Sequence, residues 1–247
     1  MTRGAVLVTG AGARLGKAMA LRFAREGHDV AVHYNTSRDE ARAVELAIRA
    51  MGRRAVLLQA DLADPDACAA LVARALDALP RLNGLINSAS VFERDTLDTM
   101  TPGFLRRQMQ VNAEAPVFLT QAFWRSIAGE GWALNLIDAK IGQITPEFFS
   151  YTLSKLALED ATRMLAMACA PKVRVNAIAP GLVLRSGAQT DAQFAAVHAR
   201  NPLERGPTAD DICDMAVALA GARSTTGQIV AIDGGRHFYS PGHPQNT

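Results

Sequence analysis

Short apolar runs alternate with longer amphipathic segments along nearly the whole chain. The runs fall at Ala5–Thr9, Val30–Tyr34, Ala55–Ala60, Gly84–Asn87, Ala133–Ile137, Val173–Ala179 and Gln228–Ile232. Between them lie segments such as Lys17–Glu26, Arg38–Met51 and Pro65–Leu79, whose apolar residues recur at helical spacing. This alternation predicts βαβ units and an α/β fold with a parallel sheet. Right-handed crossovers then give one doubly wound sheet of about seven strands with helices on both faces. No internal repeat or long linker interrupts the pattern, so residues 1–247 read as a single domain. Two stretches depart from it. Residues 181–207 read as a loop over a site or as an ordinary loop, and 236–247 as a surface tail or a segment that crosses a subunit interface.

Composition narrows the function classes. A net charge of +2, with no basic stripe interleaved with aromatics, gives no electrostatic footprint for nucleic acid. Cys68, Cys169 and Cys213 are odd in number and lack metal-type spacing, which fits reduced thiols in the cytoplasm. The five histidines show no ligand spacing either, so no metal is expected. No run of 18 apolar residues or secretory leader is visible, and no membrane association is expected.

The first chemical signal is Thr9-Gly10-Ala11-Gly12-Ala13-Arg14-Leu15-Gly16, between the first strand and the first helix. Such a junction offers backbone N–H groups and a helix N-terminus to a phosphate, with Gly10, Gly12 and Gly16 allowing close approach. The second strand ends in His33-Tyr34-Asn35-Thr36-Ser37-Arg38, with no acid until Asp39. A carboxylate there would hold a ribose 2′-hydroxyl and repel a 2′-phosphate. Arg14, Ser37 and Arg38 instead suit a dianion, which points to NADP(H). His33 is expected to pack near the adenine. Asp61 reads as a partner for an adenine amino group or as the N-cap of the helix after Pro65.

The second signal is Tyr151-Thr152-Leu153-Ser154-Lys155. Thr145-Pro146 reads as an N-cap and first helical residue, which places this segment early in a helix. Residues i and i+4 then share a face, and Lys155 beside the Tyr151 phenol is expected to lower its pKa. A tyrosine so tuned is a candidate proton donor.

Taken together these residues resemble the short-chain dehydrogenase/reductase family over essentially the whole chain. Supporting matches are Thr9–Gly16, Asp61, Asn87-Ser88-Ala89-Ser90, Asn112, Tyr151–Lys155, Asn176, Pro180-Gly181 and Asp233-Gly234-Gly235. The resemblance implies a Rossmann-type sheet, Tyr151 as proton donor, Lys155 on the nicotinamide ribose and Asn112 organising a relay water. It also implies cofactor contacts from Leu15, Leu62, Asn87, Ala89, Pro180 and Gly181, and a homotetramer.

Two departures define a branch. Most members have glycine where Arg14 stands, and serine where Asp138 follows Leu134-Asn135-Leu136-Ile137. An ionised carboxylate only accepts hydrogen bonds, so it suits a substrate edged with N–H groups rather than a carbonyl. With Phe92, and with Arg236-His237 after Asp233-Gly234-Gly235, the set resembles the pteridine and dihydromonapterin reductases. That likeness implies reduction of a dihydropterin or dihydrofolate with NADPH. Phe92 would stack on the pterin, Ser90 and Arg14 would meet its edge, and Asp138 and Tyr151 would complete the substrate site. Phe92 as a core aromatic and Asp138 as a loop cap are the competing readings. At the level of function, a carbonyl reductase for a ketone or 3-oxoacyl thioester and a silent NADP-binding scaffold also remain open.

Overall fold

The computed structural model describes residues 3–185 and 190–238. Seven parallel strands build one sheet: β1 (Ala5–Val8), β2 (Asp29–Tyr34), β3 (Ala55–Gln59), β4 (Leu82–Asn87), β5 (Gly131–Leu136), β6 (Val173–Pro180) and β7 (Ile229–Ile232). Their spatial order is β3-β2-β1-β4-β5-β6-β7. Each expected run therefore forms a strand, with ends shifted by one or two residues. The order reverses between β1 and β4, and the loops leaving those neighbours run to opposite sides, opening a crevice at their carboxyl ends.

Side-chain alternation sorts the core into two layers. Ala5 and Leu7 of β1 face α3 (Pro65–Ala78), α5 (Ala115–Ser126) and the end of α6 (Phe149–Cys169). Val6 and Val8 face α1 (Arg14–Arg25), α2 (Arg38–Ala50) and α8 (Ala209–Gly221). Two shorter helices, α4 (Pro102–Met109) and α7 (Asp191–His198), complete the set among the described residues. Between α4 and α5 the chain widens into one π-turn, Gln110–Glu114, which carries Asn112.

The expected start of α6 at Thr145-Pro146 is corrected by the structure. Pro146 lies in a bend, and Phe148 adopts a left-handed backbone, with φ 56°. That conformation breaks helical propagation, so α6 begins at Phe149, three residues beyond Pro146. Of the 181–207 segment, residues 182–185 follow β6 and 191–198 form α7, while 186–189 lie outside the described residues. In the expected tail, Arg236–Phe238 make one 3-10 turn and 239–247 lie outside the described residues.

Gly84 shows how tightly the sheet centre is filled. It pairs in register with Trp132 of β5, and a Cβ on it would come within 2.4 Å of the Trp132 ring. That ring stacks on Phe23 of α1 at 5.3 Å. Gly84→Val is expected to lower the urea unfolding free energy by about 1–3 kcal/mol through overpacking. Gly129→Ala, where a Cβ would meet nothing within 4 Å, controls for loss of a glycine without crowding.

Candidate active site

The crevice holds a cavity of about 670 Å³. Its walls include Gly10, Gly12, Arg14, Leu15 and Gly16 from the glycine loop, and His33 and Ser37 from the end of β2. Asp61 and Leu62 come from the end of β3, Ala89, Ser90 and Phe92 from the loop after β4, Asp138 from the segment after β5, Tyr151 and Lys155 from α6, and Pro180 and Gly181 from the end of β6. Nearly all expected site residues thus meet in one space. Arg38, Asn87 and Asn112 are not part of its wall.

The glycine loop is shaped for a phosphate. Ala13 caps α1 without a side-chain bond, and the first turn carries no acid, so its amides are left to a ligand. A Cβ on Gly16 would meet the Gly10 carbonyl oxygen at 2.2 Å. His33 is a strut behind this loop. Its Nδ1 accepts from the Gly10 N–H at 3.1 Å, and its Nε2 donates to the Ala60 carbonyl at 3.2 Å. Burial lowers the His33 pKa to about 4, which keeps the ring neutral.

At the adenine end, Asp64 rather than Asp61 caps α3, accepting from the Asp66 N–H. Asp61 accepts from Ala63 N–H at 3.0 Å and pairs with Arg107 of α4 at 3.3 Å; these contacts lower its pKa, the Ala63 bond most. Arg107 lines the same wall and was missed in the sequence, where nothing in Arg106-Arg107 tells a wall cation from a solvated one. Arg14 turns the other way. Its guanidinium donates to the Arg185 and Leu184 carbonyls at 3.1 and 3.5 Å, on the segment after β6.

The chemical end is a buried cluster. Tyr151 donates to Asp138 Oδ2 at 2.8 Å, while Asp138 Oδ1 accepts from the Lys140 N–H at 2.8 Å. Asp138 therefore caps the turn Ala139–Gly142, as one of its two readings has it, and it also holds the phenol. Lys155 donates to the Leu136 carbonyl at 2.9 Å. Its ammonium lies 5.6 Å from the Tyr151 ring centroid. The expected lowering of the Tyr151 pKa is corrected here. Burial first, then the Asp138 charge, push it well above 10. Lys155 is itself lowered by burial to about 8, and its charge is not among the influences that shift the phenol. Tyr151 is thus held protonated.

Phe92 is no core aromatic. It is 47% exposed, stacks on Phe148 at 4.6 Å with the planes 7° apart, and meets Tyr151 edge-on at 4.7 Å. Asn112 sits behind it. Its Oδ1 accepts from the Val91 N–H at 2.9 Å and the Ser90 hydroxyl at 3.0 Å, and its Nδ2 donates to Val91 O, Gln108 Oε1 and Ser154 Oγ. The side chain is committed to protein, so it holds the loop rather than presenting an amide to solvent. Asn87 likewise turns inward, donating to Asn135 Oδ1 at 2.8 Å. Among the described residues no group of acids, histidines and cysteines fits a metal, and no helix is long and apolar enough to cross a membrane.

Comparison with known proteins agrees with this geometry. A family model described as Enoyl-(Acyl carrier protein) reductase matches residues 10–237. A dihydromonapterin reductase of Citrobacter koseri is 29% identical over 238 residues, spanning 94% of this chain and 96% of the relative. Among solved structures, FolM Alternative dihydrofolate reductase 1 from Brucella suis in complex with NADP superposes with a TM-score of 0.92. It is 37% identical and covers 99% of both chains. The same-named protein from Brucella canis, complexed with NADP, gives 0.91 at 36% identity, covering 98% of this chain and 97% of its own.

The state of Lys155 has a measurable consequence. An exposed lysine titrates near 10.5, whereas Lys155 in the fold titrates near 8. Between these values the unfolded chain binds a proton that the folded chain has shed, so this group adds stability as pH rises. In urea titrations from pH 8 to 10, wild type should gain stability relative to Lys155→Met. A flat difference would show that Lys155 keeps an ordinary pKa.

Proposed function

The chain belongs to the short-chain dehydrogenase/reductase family, and from that premise we propose that it reduces a dihydropterin or dihydrofolate to the tetrahydro form with NADPH. The observation that carries the reading is the Tyr151 hydroxyl donating to Asp138 Oδ2 at 2.8 Å, with the Phe92 ring edge-on to Tyr151. A carboxylate at this point asks the substrate for N–H donors, and a pterin edge supplies amino and ring N–H groups. A ketone or 3-oxoacyl substrate needs a donor there and meets an acceptor.

The protein is an oxidoreductase that uses NADP(H). The uncapped α1 terminus suits the pyrophosphate and Ser37 the 2′-phosphate, with Asp61, Leu62 and Arg107 around the adenine and Lys155 at the nicotinamide ribose. When bound, the cofactor supplies a hydride to the C=N carbon of the substrate. Phe92 stacks the flat ring, an arrangement worth about 1 kcal/mol beyond burial. Asp138 orients its N–H edge, and Ser90 and Arg14 meet its rim. Tyr151 gives its hydroxyl proton to the ring nitrogen next to the reduced carbon. Its raised pKa serves this direction, because the phenol is fully protonated before transfer and the nitrogen left by hydride addition is strongly basic. Residues 1–247 act as one catalytic domain in this reading. A homotetramer belongs to it too, since Leu153, Met164 and Met167 leave an exposed apolar stripe along α6. The three free, buried cysteines suit a reducing cytoplasm.

NADPH oxidation at 340 nm with dihydrobiopterin, dihydromonapterin, dihydrofolate and a ketone panel tests the substrate class. Pterin or folate turnover is expected, and ketone turnover alone would overturn the reading. NADPH should exceed NADH in kcat/KM by about ten- to a hundred-fold, the scale of charge-assisted bonds to one phosphate. Tyr151→Phe and Asp138→Ala should each lower kcat by about 100-fold or more while leaving NADPH affinity nearly intact. Wild-type kcat in either variant would remove the proton route.

A further inference from the structure

The helix that carries Tyr151 lacks a cap of its own. Phe148 precedes it with a left-handed backbone, and its side chain offers no cap to the first-turn amides of α6. Their partner comes from 55 positions away in the chain. Asp95, in the loop between β4 and α4, accepts from the Ser150 N–H with Oδ1 at 3.1 Å and with Oδ2 at 3.3 Å. Its Oδ2 also accepts from the Ser150 hydroxyl, and its own carbonyl accepts from the Phe149 N–H at 3.3 Å. Asp95 is 4% exposed and Ser150 is 0% exposed.

The loop that supplies Asp95 also supplies Phe92. Its other end is gripped by Asn112, which binds both the N–H and the carbonyl of Val91 at 2.9 Å. Phe92 stands between these two grips, against Phe148 on one side of the Asp95 contact and Tyr151 on the other. We infer that Asp95 is a positioning residue for the reaction: it joins the Phe92 loop to the residue before Tyr151 and so sets the gap between the aromatic wall and the proton donor. It is not part of the cavity wall and acts through Ser150. Misplacement of a reacting group by about 1 Å costs about 100-fold in rate, so a contact one residue from the donor bears directly on kcat.

This rests on Tyr151 as donor and not on the identity of the substrate. The test compares Asp95→Ala, Asp95→Asn and Asp64→Ala, the last removing a side-chain cap of the same chemistry on α3. Kinetics are read on the substrate that wild type reduces in the dihydropterin and ketone panel. Amide hydrogen exchange over residues 149–155 is read in parallel and needs no substrate. Asp95→Ala should lower kcat about ten-fold or more, leave the KM for NADPH within about two-fold, and speed exchange over 149–155. Asp95→Asn keeps an acceptor for the Ser150 N–H and should recover most of kcat. Asp64→Ala should lose stability with kcat unchanged, which separates positioning from loss of fold. The inference fails if Asp95→Ala keeps wild-type kcat, if Asp64→Ala loses as much kcat as Asp95→Ala, or if exchange over 149–155 is unmoved. Ketone rather than pterin turnover in wild type would fell the substrate assignment and leave this comparison intact.

Discussion

Everything in the crevice depends on how closely two loops pass where β1 and β4 part. A Cβ on Gly10 would lie 2.9 Å from the Ala89 Cα, a separation that side-chain-bearing residues do not reach. Across that gap the Thr9 hydroxyl oxygen accepts from the Ser88 and Ala89 N–H groups at 2.9 and 3.0 Å and donates to the Ile86 carbonyl. Two buried strand ends are thereby sewn together. His33 extends the seam sideways by bridging Gly10 to Ala60, so the ends of β1, β2, β3 and β4 are joined into one floor. A floor of this rigidity is what lets short loops hold a phosphate and an aromatic ring at fixed separation.

Above the floor, burial does more than charge pairing. Tyr151 and Lys155 are both nearly sealed, at 6% and 3% exposure, and the same loss of solvent drives their pKa values in opposite senses. Desolvation disfavours the charged form of each, so phenol and amine are both biased toward neutral. Asp138 acts on the pair in one direction only, raising Tyr151 strongly while partly offsetting the desolvation of Lys155. A site with serine in place of Asp138 lacks that bias and offers a hydroxyl donor in its stead. The aspartate therefore changes two things at once: which hydrogen bonds the substrate must bring, and how firmly the tyrosine keeps its proton until the substrate takes it.

Much of this was legible in the sequence because its signals are local. Continuous apolar runs marked the strands, helical spacing marked the helices, and glycines marked the loop whose backbone lies against Ala89. The Tyr151–Lys155 spacing required only that the segment be helical, so it survived the error in where α6 begins. That error is instructive. Thr145-Pro146 has the form of a helix start, yet the true cap is Asp95, whose partner is set by the crossing of a distant loop. Arg107 was hidden for the same reason, since its partner Asp61 sits on a neighbouring strand end and nothing in either local stretch pairs them. Tyr151's pKa was misjudged because proximity of a lysine is visible in spacing, whereas burial of both groups is not.

Two non-glycine residues in the left-handed region stand at the site, Arg14 in the cavity wall with φ 49° and Phe148 behind Phe92 with φ 56°. Each costs about 1–3 kcal/mol and persists only where surrounding contacts impose it. Each also stands at the start of a site-bearing helix, α1 for the phosphate loop and α6 for the proton donor. Glycine would occupy either position without strain, so the side chains themselves are what the backbone accommodates. Arg14 reaches the carbonyls of Leu184 and Arg185 and ties the segment after β6 to the glycine loop. Phe148 backs Phe92 and carries the Lys140 ammonium 4.6 Å from its own ring centroid. One strained residue thus joins the glycine loop to the segment after β6, and the other stiffens the aromatic wall. Local backbone stability is given up at two points to hold the two walls of a single reaction space.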